Sequence, residues 1–318
     1  MAAVTKREIA PGAIRQNPHN PRLYFNDEKL DQLRTSLQEK GILVPLIVYE
    51  NPGEAGTFVL MDGERRWRSA RDLGFDSVPV QVISPPGDVE NLVQMFNIHS
   101  VREEWSLVAI ALALKELMEM TGEEREGRLA EMTGLTRSTV RRAKRLLSLP
   151  AEEIERIQEE AHLDRNDQIH RVDLYLEIER AESVLRRSIP EIEDRFPRDV
   201  VIRQFARKRE EGSLRNVTDF RDVSKLAAAA ASDVVDRGRI VRAVSSLIED
   251  VNVNPPEVYE QVAAFAVQQQ ELARRVGLLT EGLEQLENAP ELSPTLVKRL
   301  RILRGRIDEL LKHSSGDD

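Results

Sequence analysis

The sequence predicts an α+β N-terminal domain followed by an all-α helix-turn-helix segment and helical C-terminal domains. Three observations predict it. The β-prone runs "ILVPLIVYE", "TFVLMDG" and "SVPVQVI" all lie before Ser84, and beyond them apolar residues recur at helical spacing. The stretch "EGRLAEMTGLTRSTVRRAKRLLSLP" has the spacing of two helices joined by a glycine turn. Aromatics at 4% and charged residues at 32% suit helices laced with surface ion pairs better than a β-sandwich. A chain of 318 residues exceeds one ordinary core, so the reading is modular: residues 1–90, 91–150, 151–250 and 251–318.

After a Pro- and Asn-rich opening (Pro18, Asn20, Pro21), "NDEKLDQLRTSLQEKG" places Leu30, Leu33 and Leu37 on one helical face and stops at Gly41. Two strands follow, split by the turn "NPGEAG". "ERRWRSARDLG" reads as a helix closed by Gly74, and "SVPVQVI" as a third strand. The loop "SPPGD" leads into "VENLVQMFNIHSVREEWSLVAIALALKELMEMTG", helical almost throughout. Three short helices fit between Glu123 and Pro150. Beyond Pro150 helix patterns are separated by "SIPEIEDRFPRD", "EGSLRN" and "NVNPPE", and Ala227 to Ala231 is a strong helix former.

Composition excludes several chemistries. Without cysteine there is no disulfide, thiol nucleophile or cysteine-ligated metal, and five scattered histidines offer no ligand spacing. No apolar leader and no long apolar run appear, so a soluble cytoplasmic protein with no membrane partner is expected. Net charge is −9, so any nucleic-acid surface must be a local patch working against the global field.

One such patch is "MDGERRWRSARDLG", with four arginines directly behind a glycine. A glycine at a strand-to-helix turn lets a ligand approach the backbone, and the helix N-terminus offers free N–H groups and partial positive charge. Arg65, Arg66 and Arg68 present guanidinium forks that suit a polyphosphate. The alternative is that these arginines pair with nearby acids on a solvated face.

"SLQEKGILVPLIVYE", "VLMDGERRWRSARDLGFDSVPVQVI" and the helix-turn-helix together resemble the ParB family, whose N-terminal domain shares the ParB/sulfiredoxin fold. The resemblance runs over roughly residues 10 to 150 and is carried by Gly41 and Pro45, by the box Gly63, Glu64, Arg65, Arg66 and Arg68, and by the trailing "VPV". It implies binding of CTP through these residues with Mg²⁺, with Glu64 and Asn97 as metal ligands. The family's third motif aligns with "MFNIHSVREEW": Asn97 is present, but Phe96, His99 and Ser100 stand where the family has glutamate, glutamine and arginine, and Arg102 replaces that arginine. The resemblance therefore implies nucleotide binding with weak or absent hydrolysis. Glu64, Glu103 and Glu104 are the candidate catalytic carboxylates. Sulfiredoxin activity is excluded by the missing cysteine.

In the helix-turn-helix, Leu129 and Ala130 pack the first helix, Gly134 makes the turn, Thr136 caps the second, and Val140, Leu146 and Leu147 anchor it. Arg137, Ser138, Thr139, Arg141, Arg142, Lys144 and Arg145 are left to face double-stranded DNA, with Arg137, Thr139 and Arg141 as base readers and the other cations on phosphates. The alternative is a hairpin with a basic solvated face.

Near the C-terminus Val258, Val262, Phe265, Leu272, Val276, Leu279, Leu283 and Leu286 form a heptad seam broken at Gln269. A second helix carries Leu296, Leu300, Leu303, Ile307 and Leu310. The two either close on each other or pair between chains as a homodimer. The whole reads as a CTP-responsive DNA-binding protein of DNA partition or transcriptional regulation, with a partition ATPase as a further partner implied by the resemblance. Its rivals are an enzyme of the same fold, a nucleotide-dependent serine kinase or nuclease, and a DNA-binding adaptor without nucleotide.

Overall fold

A computed structural model of the chain describes residues 5–21, 25, 27–101, 105–164, 166–232, 234–286 and 291–314. The N-terminal part is a five-stranded mixed sheet in the order β1-β5-β3-β4-β2. Its strands are β1 (Thr5–Ile9), β2 (Ile14–Arg15), β3 (Leu46–Glu50), β4 (Phe58–Asp62) and β5 (Val78–Ile83). The three predicted strands occupy the middle. β3 runs parallel to β5, from Leu46 opposite Val80 to Tyr49 opposite Ile83, and antiparallel to β4.

The edge strands β1 and β2 escape the sequence patterns. "TKREI" has a single large apolar residue, and β2 has two residues, so both owe their conformation to pairing: Thr5 opposes Val82, and Ile14 opposes Phe58. Leu46, Val48, Leu60, Val78 and Val80 form the core with Trp67 and Ala70. Those two lie on α2 (Glu64–Asp72), which packs beside α1 (Asp27–Lys40). Gly41 ends α1 as expected, at φ 67°, its N–H donating to the Leu37 carbonyl at 2.9 Å. The Trp67 indole N–H donates to the Pro11 carbonyl at 3.0 Å and ties α2 to the turn between the edge strands.

The remainder is helical, and among the described residues no strand follows β5. The stretch expected to be helical almost throughout holds α3 (Asp88–Val101) and α4 (Leu107–Thr121), with the Ser106 side chain accepting from the Ala109 N–H at 3.3 Å to start the second. Two helices rather than three fill the next stretch: α5 (Glu126–Thr133) and α6 (Arg137–Leu147), because the glycine turn leaves no length for another.

The middle region supplies α7 (Ala151–Glu160), α8 (Val172–Ser188), α9 (Pro190–Arg195), α10 (Arg198–Glu210), α11 (Phe220–Ala231), α12 (Arg237–Glu249) and α13 (Pro255–Tyr259). Phe205 and Phe220 meet in its core at 5.1 Å between ring centres. Lys208 of α10 is fully buried and donates to the carbonyls of Asp250 at 2.7 Å and Val253 at 2.8 Å.

Contacts divide the chain into two units, one ending at Val262 and one beginning at Ala263. The second holds α14 (Phe265–Glu284) and α15 (Pro294–Ser314). Its predicted seam is open: Phe265, Leu272, Val276, Leu279, Leu303, Ile307 and Leu310 are all exposed. No described helix is long and apolar enough to cross a membrane.

Candidate nucleotide recess and nucleic-acid interface

β4 ends on Asp62, and Gly63 turns the chain into α2 at φ 104°. Only glycine fits: a Cβ there would lie 2.5 Å from Leu46 Cδ2, and the backbone angle is one that side-chain-bearing residues avoid. The turn brings the N-terminus of α2, where a helix concentrates N–H groups and partial positive charge, to the end of β4.

The arginines behind Gly63 are braced by the protein. Arg66, largely buried, donates through Nη1 to the Val44 carbonyl and to the Pro45 carbonyl at 3.0 Å, and through Nη2 to Asp62 at 3.3 Å. The Gly41–Pro45 segment and the arginine box, 22 residues apart between Val44 and Arg66, thus meet in one side chain. Arg68 donates to Glu64 at 2.7 Å and lies 4.5 Å above the Phe25 ring. Arg65 is half-buried. The recess beside them is lined by Asn20, Leu60, Met61, Asp62, Gly63, Glu64 and Met95. Carboxylates line it, and the arginines stand behind the carboxylates. Of the two sequence readings of the box, the structure shows the pairing with acids, on a largely buried face in place of a solvated one: Asp62 holds Arg66 and Glu64 holds Arg68.

Asn20, Asp62 and Met95 belong to this recess and were not singled out from the sequence. The signal for Asn20 was its place between Pro18 and Pro21. Its loop is fixed from below by Asn17, whose Nδ2 donates to Asn91 Oδ1 at 2.9 Å, while Asn91 Nδ2 donates to the Tyr49 hydroxyl at 3.0 Å. All three are buried, and burial pushes the Tyr49 phenol above its usual pKa.

The third motif is placed differently. Phe96 is fully buried and meets Trp105 edge-on at 5.3 Å, so the position where the family has glutamate is a core ring. Asn97 does not line the recess: it is exposed, and a Cβ at Gly134 would come within 3.0 Å of its Oδ1. His99 and Ser100 are helical in backbone. Arg102, Glu103 and Glu104 lie outside the described residues. Among those described, no cluster of three or more acidic or imidazole side chains could hold a metal ion.

α5 and α6 meet at Gly134, at φ 72°, and Thr136 caps α6 by accepting from the Thr139 N–H at 3.1 Å. Leu129, Val140, Ala143 and Leu146 are buried, and Leu147 is half-buried. Arg137 is exposed over Gly127, and Ser138 and Arg142 are exposed. Thr139 shares its hydroxyl with Thr136 at 2.9 Å, so it serves the cap. Arg141 forks onto Glu126 at 3.1 and 2.9 Å while staying largely exposed. Lys144 donates to the Glu124 carbonyl at 2.7 Å. Arg145 turns to α8, donating to Glu179 at 2.5 Å and to the Leu176 carbonyl at 2.7 Å.

Residues 1–96 match the family model of the ParB N-terminal domain. The chain is 36% identical over 153 residues to the chromosome-partitioning protein ParB of Caulobacter vibrioides, which covers 46% of this chain and 47% of that protein. It is 39% identical over 157 residues to the chromosome-partitioning protein Spo0J of Thermus thermophilus, 49% of this chain and 55% of that protein. Among solved structures, C-terminally truncated ParB from Caulobacter crescentus complexed with CTP-gamma-S is 32% identical, covering 52% of this chain and 92% of that one, with a TM-score of 0.30. The chain spans about half the length of the curated relatives it matches.

Proposed function

Because the chain belongs to the ParB family, we propose that it is a nucleotide-responsive DNA-binding protein of DNA partition, taking CTP at the N-terminus of α2 and duplex DNA on α6. The observation that carries the reading is Arg66, which closes the Gly63 turn onto the Gly41–Pro45 segment and so builds one anion site from two distant stretches. Arg66 and Arg68 are neutralised by Asp62 and Glu64, and phosphates arriving at the N–H groups of α2 are the stronger partners for these forks. Mg²⁺ fits as an ion carried on phosphate, since such sites need only one or two protein carboxylates, and Glu64 in the recess wall would hold it. The ion supplies charge compensation for the phosphates.

Turnover is weak or absent in this reading, because Phe96 can neither coordinate a cation nor accept a proton. The open apolar faces of α14 and α15 support a homodimer formed through the C-terminal unit. A partition ATPase is the further partner that family membership suggests.

Calorimetry with each common ribonucleoside triphosphate and Mg²⁺ tests the first half, with heat expected from CTP and lost in Arg66→Ala. Absence of heat from every triphosphate would overturn it. The second half predicts a mobility shift of duplex DNA that weakens steeply with salt, and a shift insensitive to salt would return α5 and α6 to a solvated hairpin.

A further inference from the structure

We infer that α8 is part of the DNA-reading apparatus without touching DNA: its Glu179 and Glu182 fix the C-terminal end of α6. This rests on the reading of α6 as the DNA-facing helix. The N-terminal half of α6 is set by the Thr136 cap and by Val140 and Ala143 in the core. Its last turn buries Leu146, and the Arg145 and Leu146 carbonyls accept from the N–H groups of Ser148 and Leu149.

Two arginine bridges tie this turn to α8 and α10, and they run in opposite directions. Arg145 leaves α6 and spans Glu179 and the Leu176 carbonyl on α8, at 2.5 and 2.7 Å. Arg198 leaves α10 and holds the Ser148 cap of α6 twice, at its carbonyl and, at 3.2 Å, at its hydroxyl. Arg198 is itself aimed by Glu182 of α8, its Nε donating to the carboxylate at 3.2 Å, and Arg186 donates to the other oxygen of the same group. Glu182 is 2% exposed and Glu179 14%, so the carboxylate end of each bridge is shielded, while Arg145 at 33% and Arg198 at 37% keep part of their side chains in water. A rigid helix held at both ends has a fixed tilt. Reading base edges in the major groove needs that tilt, because a bidentate contact is lost when its fork swings away.

The sign of the effect separates positioning from electrostatics. Removing an acid beside a polyanion ordinarily tightens binding, whereas removing a positioning acid weakens it. The probe is the duplex that the full-length wild-type chain selects from a randomised pool, compared with an unselected duplex over a range of salt. Glu179→Gln should lose about tenfold or more in the ratio of selected to unselected affinity, a change of ~1.4 kcal/mol. Its salt slope should stay unchanged, and the exposed control Glu155→Gln should behave as wild type.

Arg145→Lys is the milder variant. It keeps the charge but not the fork, so it should match Glu179→Gln, and the double variant should be no worse than either. Wild-type or tighter selective binding by Glu179→Gln, or full selectivity in Arg145→Lys, overturns the inference while the DNA-binding reading stands. If Glu179→Gln does not fold, Arg145→Lys decides. If wild type selects no duplex, the DNA-binding reading falls and the inference falls with it.

Discussion

The cations of α2 and those of α6 look alike in sequence and are used in opposite ways. Behind Gly63, Arg66 and Arg68 are turned inward onto Asp62, Glu64 and backbone carbonyls, and the recess they back is small. On α6, Arg137 and Arg142 stand in solvent, Arg141 stays exposed while paired to Glu126, and Lys144 and Arg145 are turned onto the fold. A small, highly charged ligand needs a few forks held in advance, at a cost already met in folding. A long polyanion needs an open row of charges that releases counterions on contact. Counting arginines does not separate the two uses. The partners of each guanidinium do.

The largest effect should come at the hinge of the inward cluster. Gly63→Ala forces an L side chain to φ 104° and drives its Cβ to 2.5 Å from Leu46 Cδ2, in the centre of the sheet core. Strain and overpacking together should cost roughly 3 kcal/mol in urea unfolding and remove nucleotide binding. Unchanged stability with unchanged CTP heat would show that the turn is not the built element it is taken for here.

A paired experiment tests the comparison itself. Arg66→Ala removes three hydrogen bonds, one of them to the buried Asp62 carboxylate, and should lose about 2 kcal/mol of stability along with nucleotide binding, leaving the salt slope for DNA intact. Arg142→Ala should do the reverse, changing stability by less than about 0.5 kcal/mol while lowering the salt slope by roughly 0.9. The contrast breaks if Arg142→Ala unfolds the chain or if Arg66→Ala alters the slope.

How far the sequence reached follows the same division. Elements with a strong local signal were legible: α1 by its leucine spacing and Gly41, β3 to β5 by their apolar runs, α6 by Thr136 and its buried face. β1 and β2 were not, because edge strands without an apolar pattern are defined by the strand opposite. At the site, Gly63 and its arginines were readable as types. Where each guanidinium goes was not, since Arg66 reaches carbonyls 21 and 22 residues back and Arg145 reaches α8 31 and 34 residues ahead. Asn97 shows the same limit, being drawn by its motif to the nucleotide and found beside Gly134.

Lys208 extends the comparison to a cation that can titrate. It holds carbonyls as Arg66 does, but burial lowers its pKa from 10.5 to about 8. Below pH 8 folded and unfolded chains both carry the proton. Between about 8 and 10.5 the unfolded chain binds more protons, so this group makes stability rise with pH in that window. Thermal unfolding across the window should show that rise in wild type and lose it in Lys208→Met. A slope that survives the substitution assigns it to other groups.

The smallest effect concerns Arg141, the one exposed cation of α6 held by a neighbouring acid. Its fork on Glu126 is largely open to solvent, and such pairs contribute little to stability. Glu126→Gln should therefore leave the unfolding midpoint nearly unchanged. It also releases a guanidinium toward DNA and removes a negative charge from the same face, so affinity for an unselected duplex should rise a few-fold and the salt slope should steepen slightly. The direction matters more than the size, because Glu179→Gln, also the neutralisation of an acid paired to an α6 arginine, is expected to move selective affinity the other way. If both substitutions tighten binding, acids around α6 act only through their charge. If both weaken it, Arg141 is as inward a residue as Arg66, and the distinction between the two clusters is lost.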